Sequence, residues 1–92
     1  MRTIDRASAF KRDYKREAKG QHRDTLDNDL RLVLVALATD QPLDAKYRDH
    51  NLTGNWAGYR ECHIKPDLLL IYSKSDDTLR LARLGSHSEL FR

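Results

Sequence analysis

One cysteine, Cys62, is present in 92 residues. No disulfide can close within the chain, and a reducing cytoplasm is the expected setting. No apolar run approaches the length that crosses a bilayer, so no membrane association is expected. The opening stretch MRTIDRASAF lacks the apolar centre of a secretory leader. There are no internal repeats, no low-complexity segments and no linker that would divide the chain. These absences point to a single domain over residues 1–92, just large enough to hold a core without staples. A hydrophobic fraction of 39% beside a charged fraction of 34% fits a soluble globular protein and excludes a disordered tail.

The charge that is present is unevenly spread. Residues 1–23 hold eight Lys/Arg against three Asp/Glu, whereas the remainder holds nine against eleven. Basicity gathered at one end suits a polyanionic partner, although a solvated helix face reads the same way. Ala7, Phe10, Tyr14 and Ala18 recur at spacings of three and four, which predicts an amphipathic helix with Ser8 as N-cap and Gly20 as its stop. Arg12, Lys15, Arg16 and Lys19 follow the same rhythm on roughly the opposite side, making a basic stripe. A second helix is expected from about Arg23, burying Leu26, Leu30, Val33, Leu34 and Leu37 and stopping before Pro42. Asp24, Asp27 and Asp29 crowd its first turns, where the helix dipole favours anions. The two helices should pack as an antiparallel hairpin.

Strand rhythm replaces helix rhythm after Gly58. RTID near the start is a short candidate strand, and YRECHI, LLLIYSK and TLRLARLG read as three more. KPD and SDD form short turns between the last three, so these neighbours should run antiparallel. The consecutive apolar residues Leu68 to Tyr72 mark a middle strand covered on both faces. The expected fold is α+β: an N-terminal strand and a two-helix hairpin packed on a small, mostly antiparallel sheet.

His50, His63, Asp67 and His87 all fall at segment ends or in loops, with Arg83 in the last strand. An antiparallel meander can bring such positions to one rim. Histidine can take and give protons near neutral pH. Each residue also has a plainer reading: Asp67 as a turn residue, Arg83 as an ion-pair partner of Glu61, His22 as a structural residue of the inter-helix turn. Neither H-x-H nor H-E-x-x-H occurs and there is no second cysteine, so no metal site and no cofactor are expected. Cys62 shares a strand face with Ile64 and opposes His63, as a buried inert thiol would.

A proton donor, a proton acceptor and a guanidinium without a metal suit RNA cleavage. A base deprotonates the ribose 2′-hydroxyl, an acid protonates the departing 5′-oxygen, and the guanidinium stabilises charge on the phosphoryl oxygens. The basic stripe would hold the RNA backbone, and Phe91 could stack a base.

The segments YRDHNLTGNWAGYRECHIKPDLLLIY and RLARLGSHSELF resemble the YafQ branch of the RelE/ParE toxin superfamily, the toxin halves of bacterial type II toxin–antitoxin pairs. The resemblance implies a RelE-like fold and a ribosome-dependent endoribonuclease that cuts messenger RNA in the decoding site and arrests translation. Its functional set falls on His50, His63, Asp67, Arg83, His87 and Phe91. By this resemblance His87 is the general acid, Asp67 or His50 the base, His63 an orienting or proton-sharing group, and Arg83 the stabiliser of the phosphorane. The implied partners are the ribosome with its messenger RNA and an acidic-tailed antitoxin that wraps the domain, with operator DNA met only through that antitoxin. Two other outcomes remain open: a non-catalytic toxin that grips a protein target, as the gyrase-directed ParE branch does, and a degenerate toxin serving only as co-repressor. Leu68 stands where relatives carry a base-stacking tryptophan, and Asn51 where a proline is familiar, which is expected to loosen the loop holding His50. Trp56 and Tyr59 also match and read as packing residues.

Overall fold

A computed structural model of the chain describes residues 1–91. The elements are β1 (Thr3–Arg6), α1 (Ser8–Glu17), α2 (Leu26–Ala38), β2 (His50–Asn51), β3 (Arg60–Lys65), β4 (Leu68–Lys74), β5 (Thr78–Gly85) and α3 (His87–Leu90), with 3-10 turns at Ala45–Tyr47 and Gly54–Trp56. They form one five-stranded sheet of order β1-β5-β4-β3-β2, in which β1 runs parallel to β5 and every other pair is antiparallel. The α+β architecture is therefore as expected. Among the described residues no helix is long and apolar enough to cross a membrane.

β4 is the middle strand, and Leu68 to Tyr72 are each no more than 2% exposed. Alternation along it divides the apolar side chains between two cores. Leu68, Leu70 and Tyr72 join Cys62, Ile64, Leu79, Leu81 and Leu84 beneath Phe10, Leu26, Leu30, Val33 and Leu37 of the helices. Leu69 and Ile71 turn the other way, to Ala82 and Leu90, with Leu52, Trp56, Tyr59 and Phe91 packed around them. Trp56 and Tyr59 meet edge-on, their centroids 5.3 Å apart, which fits their reading as packing residues.

Local boundaries differ from the sequence reading. Ala7, with extended backbone and no capping side chain, precedes α1; Ser8 is already helical, and the helix ends at Glu17 before Gly20 is reached. α2 starts at Leu26 because residues 20–25 are wound into turns, including the Arg23 N–H to Gly20 carbonyl bond and the Thr25 N–H to His22 carbonyl bond. The two helices do not close fully on each other. Tyr14 donates to the Asp27 carboxylate, yet a cleft of about 760 Å³ opens between β1, α1 and α2, lined by Ile4, Phe10, Leu30, Leu34 and Leu81 with Arg6, Lys11 and Lys15 among its walls.

β1 covers β5 only as far as Leu81, where the Ala7 N–H reaches the Leu81 carbonyl. Beyond that point α1 supplies the missing partners for Leu84. Asp13 Oδ2 accepts its N–H at 3.0 Å, and Arg16 Nη2 donates to its carbonyl at 3.0 Å. Both edge groups are satisfied by side chains where a strand would otherwise be needed.

Candidate active site

The register of β2 and β3 assembles the first part of the site. His50 lies opposite Glu61, so it belongs to a short strand and not to a free loop. Cys62 and Ile64 point into the helix-side core, which turns Glu61 and His63 to the opposite face. Glu61 is only 6% exposed. Its Oε1 lies 3.3 Å from His63 Nε2 and 3.6 Å from His50 Nε2. A buried carboxylate thus stands beside two imidazoles. Sequence reasoning offered Glu61 only as a partner for Arg83; its place two residues before His63, on the same strand face, was the signal for more.

Both rings set Nδ1 on a backbone carbonyl and turn Nε2 toward Glu61 Oε1. His50 Nδ1 is 2.7 Å from the Arg48 carbonyl, which can only accept, so Nδ1 carries a proton and Nε2 of the neutral ring is an acceptor. His63 has acceptors on both sides, the Pro66 carbonyl 3.4 Å from Nδ1 and Glu61 at Nε2. The segment around His50 is fastened, not loosened, at Asn51. Arg60 Nη1 donates to Asn51 Oδ1 at 2.6 Å, while its Nε and Nη2 hold Asp49 at 3.3 and 2.9 Å, and the Tyr72 hydroxyl also donates to Asp49.

Asp67 is engaged elsewhere. Gln21 Nε2 donates to Oδ2 at 2.6 Å, and His22 Nε2 lies 2.8 Å from Oδ1. Burial works to raise its pKa, but the His22 hydrogen bond and charge, the backbone and Gln21 together hold it below the ordinary carboxylate value. His22 is thus the residue that ties Asp67 to the inter-helix turn.

Arg83 does not pair with Glu61. Both register with Ile71 on β4, so their backbones stand two strand spacings, about 10 Å, apart. Arg83 instead gives Nε to Asp13 Oδ2 at 2.7 Å and Nη2 to Asp13 Oδ1 at 3.3 Å. His87 follows as the first residue of α3, a single turn closed by a Ser86–Glu89 capping box. Its exposed ring lies against Phe91, centroids 5.0 Å apart, and Phe91 packs on the Leu69–Ile71 face of the sheet. His63 and Gly85 both register with Leu69. The rim that carries His63 is thus about 10 Å, two strand spacings, from the strand end that leads to His87.

The other predicted residues divide. Arg12, Lys15, Arg16 and Lys19 are all exposed, and Arg16 also meets Asp13 at 3.2 Å, Glu17 at 3.0 Å and Glu89 at 3.3 Å. Leu68 is 1% exposed in the helix-side core, so its position faces no substrate. Cys62 is fully buried, and burial pushes its thiol far above the usual value, leaving it unreactive. Among the described residues no group of three or more His, Cys, Asp and Glu side chains is arranged to hold a metal ion.

Residues 2–92 match the family described as bacterial toxin of type II toxin–antitoxin system, YafQ. The chain belongs to the YafQ family. The mRNA interferase toxin YafQ of Escherichia coli K12 is 40% identical over 92 residues, spanning 99% of this chain and 97% of that protein. YafQ solved in the E. coli DinJ–YafQ complex superposes with a TM-score of 0.84 at 39% identity, with all of both chains covered. A metal-bound toxin from Helicobacter pylori gives 0.82 at 45% identity, over 99% of this chain and all of that one. Family and relatives identify a toxin of the mRNA-interferase type, an endoribonuclease.

Proposed function

We propose that this YafQ-family toxin cuts messenger RNA in the ribosomal decoding site by acid–base catalysis without a metal. The observation that carries this reading is Glu61 set beside His50 and His63, on the sheet face against which Phe91 packs, with the exposed His87 ring against Phe91. His50 Nε2 takes the proton of the ribose 2′-hydroxyl, and the 2′-oxygen attacks the adjacent phosphorus. The bond from phosphorus to the 5′-oxygen breaks as His87 protonates the leaving oxygen, and a 2′,3′-cyclic phosphate remains. Arg83 bears on the phosphoryl oxygens as their charge grows. His63, 3.3 Å from Glu61, orients the phosphate or shares a proton. Asp67 is the weaker choice of base, since its oxygens already accept from Gln21 and His22. Phe91 stacks a base, and Arg12, Lys15 and Lys19 hold the RNA backbone.

The partner reading follows from the reverse side of the sheet. The cleft between β1, α1 and α2 has an apolar floor, and Arg6, Lys11 and Lys15 line it. It suits an acidic, amphipathic segment of a cognate antitoxin. Because the histidines lie on the other face, neutralisation acts by blocking approach to the ribosome, in the cytoplasm, and contact with operator DNA comes through the antitoxin.

Induced expression should arrest protein synthesis and leave messenger cleavage products that primer extension detects. His87→Ala should restore growth while the protein stays folded. A folded His87→Ala protein as toxic as the wild type refutes the catalytic assignment.

A further inference from the structure

Asp13 is 4% exposed, and its two oxygens accept four hydrogen bonds. Oδ2 takes Arg83 Nε at 2.7 Å and the Leu84 N–H at 3.0 Å; Oδ1 takes Arg83 Nη2 at 3.3 Å and Arg16 Nη1 at 3.2 Å. A carboxylate offers about four acceptor sites, so this one is fully used. A buried charge is retained at a desolvation cost that such bonds must offset. Its neighbours suggest why it is there. It holds two N–H groups along one edge of the Arg83 guanidinium, so the plane of that group is fixed while its side chain remains 28% exposed.

The same carboxylate reaches the helix that carries His87. Arg16, held at Nη1 by Asp13, lies 3.3 Å from Glu89 through Nε, and Glu89 Oε1 accepts the Ser86 N–H at 2.8 Å in the cap of α3. Gly85 lies close beneath the crossing, where an added side chain would displace its two ends. A Cβ on Gly85 would stand 2.8 Å from Arg16 Nη2 and 3.1 Å from Glu89 Oε1. Asp13, Arg16 and Glu89 therefore form a brace from α1 to the start of α3.

We infer that Asp13 is a positioning residue for RNA cleavage, orienting the Arg83 guanidinium toward the scissile phosphate and, through Arg16 and Glu89, setting the seat of His87. The inference rests on the proposed role of Arg83. Since Asp13 cancels positive charge beside a polyanion, its contribution is geometric: a guanidinium fixed before the reaction stabilises the phosphorane without reorganising.

The test is steady-state cleavage of ribosome-bound messenger RNA by Asp13→Asn, Arg83→Ala and the double variant, with thermal melts of each. Asparagine keeps an acceptor for the Leu84 N–H but loses the charge that grips Arg83. Asp13→Asn should lower kcat roughly tenfold to a hundredfold and leave KM within about twofold. In the Arg83→Ala background the same change should lower kcat clearly less, by only the part carried through Arg16 and Glu89 to His87, although both backgrounds lose thermal stability. A folded Asp13→Asn protein with wild-type kcat, or an equal loss in both backgrounds, overturns the inference. Should Asp13→Asn not fold, Arg83→Lys decides: an ammonium has no flat two-donor edge to give Asp13 while a further face meets the phosphate, so kcat should stay near that of Arg83→Ala, and a wild-type kcat overturns it. An unchanged kcat in Arg83→Ala alone instead refutes the role of Arg83 on which this rests.

Discussion

Glu61 Oε1 lies 3.3 Å from His63 Nε2, and the same oxygen of this buried carboxylate lies 3.6 Å from His50 Nε2. Replacement by glutamine keeps the shape but presents a neutral group, one half of which is a donor. Glu61→Gln should fold and lower the cleavage rate about tenfold to a hundredfold, as expected when a group that orients catalytic imidazoles is lost. Single-turnover cleavage with saturating toxin checks this. A rate within twofold of wild type would make Glu61 merely structural.

Much of the fold was legible because its signals are local. The apolar run Leu68 to Tyr72 announced a middle strand by composition alone, and the spacing of Leu26, Leu30, Val33 and Leu37 announced the inner face of α2. The site was legible only as a set of chemically able residues. The ties between them are non-local: Glu61 joins His50 through a two-residue strand, and Asp13 reaches Arg83 across 70 positions. No periodicity encodes such pairings. Arg16 illustrates the limit, since its spacing puts it on the exposed stripe, where it lies, but could not announce its ties to three carboxylates and to a carbonyl at the sheet edge.

His50 and Asp67 can be separated as candidate bases by pH. If His50 takes the 2′-proton, His50→Ala should remove the limb of the rate profile that rises toward neutral pH, and Asp67→Asn should preserve it. Asp67→Asn should instead show in stability. The folded-state pKa of Asp67 is lowered, so its stabilising contribution is present above the unfolded value of 3.8 and is lost as pH falls through the lower folded value. The carboxylate is 52% exposed, which keeps the effect small. Melts of the two proteins should differ near neutral pH and converge in strong acid. Loss of cleavage at neutral pH in a folded Asp67→Asn protein would transfer the base to Asp67.

Leu68 tests whether the position after Asp67 touches RNA. It is buried among the helix-side residues, so a larger ring there meets packed side chains before it meets a base. Leu68→Trp should destabilise the fold by about 1–3 kcal/mol through overpacking, read by chemical denaturation, without tightening the grip on RNA. A stable variant with a lower KM would contradict the buried placement.

The antitoxin cleft lies across the sheet from His50, Glu61 and His63 and meets the RNA-holding stripe only at Lys15. Ile4 is 39% exposed and lines the cleft beside α2. A glutamate there adds a like charge facing an acidic segment and removes apolar contact. β1 remains paired to β5 through its backbone, as Ile4 faces Leu79 in register. Ile4→Glu should therefore weaken antitoxin binding at least about tenfold, the equivalent of 1.4 kcal/mol, while messenger cleavage by the free toxin stays at the wild-type rate. Titration calorimetry with the purified antitoxin and the cleavage assay read the two effects independently. Unchanged affinity in the folded variant would move the antitoxin off this cleft, and loss of cleavage with affinity intact would mean that this side of the domain meets the ribosome.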